Sequence, residues 1–353
     1  MLWYFIGMQI EITKKPKSVV FIKGSLPAED FDAHIKHVTD HFVSEAELPG
    51  FRKGKAPEKM VAEKIGEAAL LEEAAEEALK KEYPAILKEH TIDAIGQPQI
   101  RITKLARGNA LEFEAEISVL PAVPVPDYKK LTKIINEKPA EDVSVSNEEI
   151  QKSIEWLQSS YAKASEDKSV NKRLTELPPL TDEFAQSLGN FKTVADLQTA
   201  IRENMLFEKK EKAREKRRME LLNSIAEKTT VEIPDILIDA EKQKMLAEIK
   251  SGVTSMGMEW AAYLDHIKKT EDDLVKDLQK DAERRAHHSL VLREIAEQEH
   301  IDPTTDECNA WAYQYLMARP EHEKKDIDPQ RVAEYAYGVI RNQKVFEFLE
   351  SIK

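Results

Sequence analysis

The sequence predicts an α+β N-terminal domain followed by an elongated all-α C-terminal domain, and three observations carry that prediction. Residues 99–105 (QIRITKL) and 110–120 (ALEFEAEISVL) alternate with period two around the turn formers Gly108 and Asn109, which is the pattern of a half-buried hairpin. Pro121, Pro124, Pro126 and Pro139 then mark a stiff extended connection, because each fixes its own φ and drives the preceding residue out of the α region. From Ser146 onward Glu, Lys, Gln, Ala and Leu dominate, and helix breakers are confined to a few sites.

The N-terminal elements follow in order. A strand is expected from Met8, with the apolar residues 1–7 read as a misassigned start, too short and too poor in basic residues for a secretory signal. SVVFIKGSL (18–26) is rich in β-branched residues and predicts a second strand. Phe31, Ile35, Val38 and Phe42 recur at helical spacing after Asp30, and a second helical run from Glu58 carries Val61, Ile65, Leu71, Ala75 and Leu79. The resulting division is an α+β domain over 1–126, an extended linker over 127–145 and a helical domain over 146–353. Within the last, long helices are expected over 192–229 and 235–251. No glycine lies between Gly108 and Gly189, and no alternating β-branched run occurs there, so a glycine-turned sheet domain in the middle of the chain is excluded.

Composition limits the function. Fifty-two basic against sixty-five acidic residues give a formal charge of −13, which argues against a protein that coats nucleic acid or an anionic membrane over its whole surface. A single cysteine, Cys308, excludes an intramolecular disulfide and a multi-cysteine metal site. No stretch approaches the roughly 20 apolar residues of a membrane span, and the expectation is a cytoplasmic protein without a membrane partner.

Against that acidic background LPGFRKGKAP (48–57) stands out. Glycines at 50 and 54 permit tight turns, Pro49 and Pro57 limit the freedom lost on docking, and the tip presents Phe51 with Arg52, Lys53 and Lys55. Phe51 can fill a pocket or stack on a base, Arg52 can contact phosphate or carboxylate through two hydrogen bonds, and Lys59 and Lys64 continue the patch. Composition alone balances a docking tip for a ribonucleoprotein surface against a solvated helix-to-helix turn.

Elsewhere the bland readings are favoured. His34, His37 and His41 share one side of a helix, but no acidic or sulfur ligand is evidently placed beside them, so they read as exposed boundary histidines with no metal. His287 and His288 read as surface residues. EKKEKAREKRR (208–218) reads as a solvated face laced by i,i+4 pairs such as Glu208 with Lys212, and a subsidiary electrostatic role toward RNA or acidic partners stays open. Met245, Met256, Met258, Trp260, Tyr263 and Leu316 belong to a set of methionines and aromatics suited to varied apolar ligands, although core packing is the commoner use of such residues. No phosphate-binding glycine loop, nucleophile elbow or HExxH is present, and no catalytic residue or cofactor is expected.

G-F-R-K-G-K-A-P (50–57) resembles the signature of trigger factor, the ribosome-associated bacterial chaperone, in the matching strand, helix, loop, helix context. EFEAEISVLPAVPVPDYKKL (112–131), TELPPLTDEFAQSLGNFKTVADLQTAIRENM (175–205) and VEIPDILIDAEKQKML (231–246) are similar to later parts of that family, while the last sixty or so residues match weakly. The resemblance implies the trigger factor/SurA-like fold, with a ribosome-binding N-terminal domain and a helical chaperone domain. It implies an ATP-independent chaperone that meets nascent polypeptides at the tunnel exit of the large ribosomal subunit. Phe51, Arg52 and Lys53 would contact a ribosomal protein and adjacent rRNA, with Gly50, Gly54, Lys55 and Pro57 shaping the tip; for unfolded clients the candidates, drawn from residue type alone, are Met245, Met256, Met258, Trp260, Tyr263 and Leu316. A homodimer off the ribosome is a family expectation only. The family usually inserts an FKBP-like peptidyl-prolyl isomerase domain where QKSIEWLQSSYAKASEDKS (151–169) here runs almost directly into NKRLTELPPLTDEF, so no isomerase activity is expected. The alternative is a ribosome-docking assembly factor with a single defined partner.

Overall fold

A computed structural model of the chain describes residues 2–5, 8–47, 49, 51–139, 141, 143–164, 178–319 and 327–353. It forms two compact units, one made of Met1–Pro124 with Thr229–Leu290 and the other of Val125–Lys228 with Val291–Lys353. The first unit is built on an antiparallel sheet of β1 (Leu2–Phe5), β2 (Met8–Lys15), β3 (Val19–Leu26), β4 (Ala94–Lys104) and β5 (Leu111–Val119), in the order β1-β2-β3-β5-β4. The predicted hairpin is β4 with β5, in the register Ile100↔Ala115 and Ile102↔Phe113. Residues 2–5 were read from sequence as belonging to a misassigned start; they pair as an edge strand, Leu2 opposite Glu11 and Phe5 opposite Met8.

Alternation decides what the sheet covers. Met8, Ile10, Val20, Ile22, Leu111, Phe113, Ala115 and Ile117 are buried on one face, where they meet α1 (Ala28–Glu45) and α3 (Glu67–Glu89). Phe31, Ile35 and Val38 of α1 are the predicted stripe, and Leu70, Ala74, Ala78 and Ile86 supply that of α3. Small alanines along α3 let that helix lie close to α1. Each large apolar side chain buried here contributes roughly 2 kcal/mol. The opposite face is polar, with Arg101 opposite Glu114 and Lys104 opposite Glu112 as cross-strand ion pairs, while Lys15 passes 4.4 Å over the Phe21 ring to reach Glu116.

The helical run expected from Glu58 is two helices. Gly66, at φ +91°, ends α2 (Glu58–Ile65) and starts α3. The β2–β3 turn is tight and uses residues other than glycine, Lys17 and Ser18, at φ +59° and +53°. Their conformation is held from outside the hairpin, since the Lys17 amide donates to Glu232 at 2.7 Å and its ammonium group to both oxygens of Asp235 at 2.9 Å. Asp235 opens α8 (Asp235–Ser255), which is followed by α9 (Trp260–Ile267), α10 (Glu271–Asp277) and α11 (Gln279–Gln298). Ile238 and Met245 of α8 form a small core with Ala282 of α11. His287 and His288, expected on the surface, are half-buried, and desolvation lowers the pKa of both.

Between them, α4 (Tyr128–Asn136), α5 (Asn147–Ala164), α6 (Asp182–Ser187), α7 (Val194–Ala226), α12 (Thr305–Met317) and α13 (Pro329–Ser351) build the second unit. Among the described residues no strand follows Val119. Most of the basic run 208–218 is exposed, as its reading as a solvated face expects, but several of its cations also form a structural clasp. Arg217 donates to the carbonyls of Ile135 and Lys138 at 2.8 and 2.6 Å, capping the C-terminal end of α4. Arg214 and Arg218 both bind Glu350, and Lys209 binds Glu149 and the Ser144 carbonyl. Asn136 closes the arrangement by donating to the carbonyls of Leu349 and Ile352, both at 2.9 Å. The i,i+4 pairs expected within the run are absent among the described residues, and Lys209, Arg214, Arg217 and Arg218 instead find partners beyond the run.

Burial by itself would raise the Glu350 pKa, but the hydrogen bonds from Arg218 and Arg214 outweigh it and bring the carboxyl down to about 2. A carboxyl lowered by folding adds stability that is complete above its unfolded-state pKa and is lost as the pH falls through the folded value. Glu350→Gln should therefore cost about 2 kcal/mol at neutral pH. Calorimetric melts from pH 7 to pH 2 check this: the gap between wild type and variant should hold down to about pH 5 and close toward pH 2.

Candidate functional site

The segment joining α1 to α2 is pinned at its base and open at its tip. Helix α1 ends at Glu45, where the Ala46 amide bonds back to the Phe42 carbonyl and the chain turns extended. The Gly54 amide returns to the Ala46 carbonyl at 3.3 Å, and the Lys55 amide bonds to the Arg52 carbonyl at 2.9 Å, which closes a turn over residues 52–55. Gly54 sits at φ +74° with space for no side chain, since a Cβ would lie 3.0 Å from the Ser44 carbonyl oxygen. Buried Ala56 anchors the returning strand of the loop, and Pro57 precedes the first turn of α2. Gly50 lies outside the described residues.

Everything chemically active points outward. Phe51 is 40% exposed, and Arg52, Lys53, Lys55, Pro57 and Lys59 are exposed. Among the described residues Arg52, Lys53, Lys55 and Lys59 form no ion pair, whereas Lys209, Lys216, Arg214 and Arg218 of α7 are taken up by Glu149, Glu141 and Glu350. An apolar ring surrounded by uncompensated cations on a pinned backbone can seat an aromatic anchor in a pocket while the guanidinium and ammonium groups meet carboxylates or phosphates. Met60, next along α2, is also exposed and adds apolar surface that the sequence reading did not single out. The buried stripe of that helix runs through Val61, so the neighbouring Met60 falls off it.

The platform under the loop holds a contact that was not foreseen. His34 and His37 converge on Glu77 of α3, each Nδ1 lying 2.8 Å from a different carboxylate oxygen. The acidic partner judged missing in the sequence comes from another helix, and it ties α1 to α3. Burial pushes the Glu77 carboxyl up, but its bonds to His34 and His37 prevail and lower it. His41 stays exposed, edge-on to Phe42. Among the described residues no group of three or more His, Cys, Asp or Glu is arranged to hold a metal.

The six residues singled out for apolar ligands are scattered by the fold. Met245 is buried in the α8–α11 core and its side chain is taken up in packing. Met256 and Met258 are exposed at the end of α8, whereas Trp260 and Tyr263 are half-buried and stacked at 5.4 Å, with the Trp260 indole donating to Glu271. Leu316 is half-buried in α12. Two larger apolar groups were passed over: Trp156 on α5 and Phe207 on α7 are 68% and 66% exposed, Trp156 beside a groove of about 490 Å³ that Leu157, Ile201 and Met205 also line. The signal was available, since Trp156 lies two residues, about 200° of helical rotation, from buried Ile154.

Comparisons with known proteins point to one family. A family model described as bacterial trigger factor protein matches residues 8–157, and one for the C-terminus of the same protein matches residues 193–350. The trigger factors of Carboxydothermus hydrogenoformans and Alkaliphilus metalliredigens are each 24% identical to this chain, with 98% of it and 100% of each relative aligned. That of Clostridium botulinum is 23% identical over 91% of this chain and 92% of its own length. A solved structure from a study of promiscuous substrate recognition by the trigger factor chaperone superposes with a TM-score of 0.54 at 16% identity, covering 98% of this chain and all of that one. The Carboxydothermus alignment runs over 430 positions against 353 residues here, so that relative carries sequence without a counterpart in this chain. The two family matches leave residues 158–192 between them, shorter than the roughly 50 residues of a small domain.

Replacing Gly54 should loosen the tip without unfolding the unit. Gly54→Ala forces a Cβ into a positive-φ position beside a carbonyl and should cost about 1–2 kcal/mol. Amide hydrogen exchange provides the check: protection should fall at the Gly54 and Lys55 amides while the amides of β3 and β5 keep theirs.

Proposed function

Because this chain belongs to the bacterial trigger factor family, we propose that it is a ribosome-associated, ATP-independent chaperone that anchors through Phe51, Arg52 and Lys53 and shelters nascent polypeptides. The observation that carries the docking assignment is the pinned loop with an exposed aromatic ring and cations that no carboxylate of the described chain neutralises. Its partner at the tunnel exit of the large subunit would be a ribosomal protein surface with rRNA phosphates beside it. Gly54 and Lys55 shape and support the tip, Gly50 is assigned to the same tip by the family resemblance, and Pro57 limits its freedom. Anchoring raises the local concentration of chaperone around each emerging chain, so contacts with clients need only be weak. Those contacts are released when the client buries its own apolar surface.

In this reading the α+β domain through Pro126 docks, residues 127–145 connect, and the helices from residue 146 form the sheltering surface. The exposed Met256 and Met258 are favoured for client contact over the buried Met245, with Trp260, Tyr263 and Leu316 available in part. Polarizable, flexible methionine beside aromatic faces accepts many apolar sequences. The short interval between the two family matches supports a chaperone without prolyl isomerase activity. A cytoplasmic site of action follows from the ribosomal partner, and no described helix is long and apolar enough to cross a membrane.

Co-sedimentation with vacant ribosomes tests the anchor. Wild type should bind saturably, and Phe51→Ala/Arg52→Ala/Lys53→Ala should reduce affinity by about 100-fold or more, as expected when an aromatic anchor and two charge contacts are removed together. A shallow dependence on salt is expected, since few phosphates are contacted. Binding unaffected by the triple change would displace the anchor from this loop. The variant should still suppress aggregation of unrelated unfolded proteins, and neither protein should accelerate isomerisation of a proline-containing peptide.

A further inference from the structure

Segment 229–290 belongs to the first unit without sharing its main core. Among the described residues the core beneath the sheet draws on the strands, α1 and α3, while Ile238, Met245 and Ala282 form a separate one within the segment. The segment meets the sheet at one end. There the β2–β3 turn, residues 16–18 between the paired Lys15 and Val19, lies beside the end of β5, since the Val119 amide donates to the Ser18 carbonyl at 2.8 Å. Gly96 of the edge strand β4 is at the same end, in the irregular stretch between Ile95, opposite Ser118, and Gln99.

Residues 232–236 lie across that end. The Glu232 carboxylate accepts from the Lys17 amide at 2.7 Å, and the Glu232 carbonyl accepts from the Ser18 hydroxyl at 3.3 Å. Both oxygens of Asp235 accept from the Lys17 ammonium at 2.9 Å. Ile236 takes the room a side chain on Gly96 would need, because a Cβ there would lie 2.2 Å from the Ile236 Cδ1. The Lys17 and Asp235 side chains are 60% and 64% exposed, so water and salt screen their attraction and the ion pair holds weakly.

The turn that receives these contacts is strained. Three-residue hairpin loops place glycine where φ is positive, and here Lys17 and Ser18, each with a Cβ, occupy that region in succession at +59° and +53°. Such a backbone persists only where its surroundings hold it. The strain and the weak ion pair act on one equilibrium: a departing segment lets the turn relax, and a relaxed turn takes away the segment's seat. We propose that Lys17, Ser18, Glu232, Asp235 and Ile236 form a latch from which segment 229–290 detaches while keeping its own helices. Opening uncovers Gly96 and Ile236 and, in the chaperone reading, widens the space beside the sheet for a client. The latch itself does not depend on that reading, and no ribosome or client enters its test.

Amide hydrogen exchange of the full chain, read on each side after a change on the other, tests the latch. Lys17→Gln alters only the hairpin, yet it should speed exchange of the Leu237 and Ile238 amides in the first turn of α8 about threefold, the worth of an exposed ion pair. Glu232→Ala/Asp235→Asn alters only the segment, and it should speed exchange of the β2–β3 amides next to the turn by at least as much. Salt at about 1 M, where the screening length is about 3 Å, should do both to the wild type. The amides of Leu246 and Val253, farther along α8, should keep their protection. Ser18→Gly removes strain from the turn and should leave the hairpin amides indifferent to the double change on the segment. Should that double change loosen all of α8, Lys17→Gln, which leaves the segment intact, decides alone. Exchange in α8 that neither Lys17→Gln nor salt alters overturns the proposal, as does a hairpin response to the double change that is equally large with Ser18→Gly.

Discussion

The first unit depends on a sheet that is apolar on one face and charged on the other. Met8, Ile10, Ile22, Phe113 and Ile117 must be covered, and α1 and α3 bring the apolar stripes that cover them. Once both helices lie on that face, the chain between them has to leave the core and come back. The connection becomes a projecting loop because the helices it joins are fixed by burial. Its stiffness comes from local chemistry, with Gly54 beside the end of α1 and Pro57 at the start of α2. Docking groups set on a base of this kind lose little conformational freedom on binding.

The second unit is organised differently. Its helices bury short apolar stretches, and much of its definition comes from charged and amide groups closing helix ends. Arg217 completes α4, Asn136 completes α13, and Glu350 gathers Arg214 and Arg218. Such contacts are directional, so they select one arrangement of helices more sharply than they stabilise it. They also tie this unit to the ionisation of a few carboxylates, of which Glu350 and Glu149 are both brought down to about 2.

The two basic segments of the chain show why charge content alone is a poor guide to function. Residues 208–218 hold more cations than the loop does, yet most of those cations meet carboxylates or carbonyls of the same unit and are unavailable to a partner. The loop has fewer, and among the described residues they are uncompensated. What matters for an intermolecular contact is the charge left over after folding, together with the cost of ordering it.

Much of the first unit was legible in the sequence because its signals are local. Period-two alternation fixes which side of β3 and β5 is buried, helical spacing identifies Phe31, Ile35 and Val38, and the glycine and proline spacing of residues 49–57 foretells a stiff turn. The break at Gly66 was missed because the apolar stripe continues across it in the sequence. Contacts between distant segments were not legible at all. Nothing near His34 and His37 announces Glu77, nothing near Lys17 announces Asp235, and the exposed or buried state of a methionine such as Met245 depends on which helix arrives opposite it. By itself, then, the sequence determined the elements, the stiff basic loop and the family resemblance, since these rest on neighbours within a few residues. Tertiary structure alone decided which charges are spent, which of the methionines are buried, and that residues 229–290 pack in one unit with the N-terminal sheet. Those outcomes turn on pairings between residues far apart in the chain, and no local pattern encodes them.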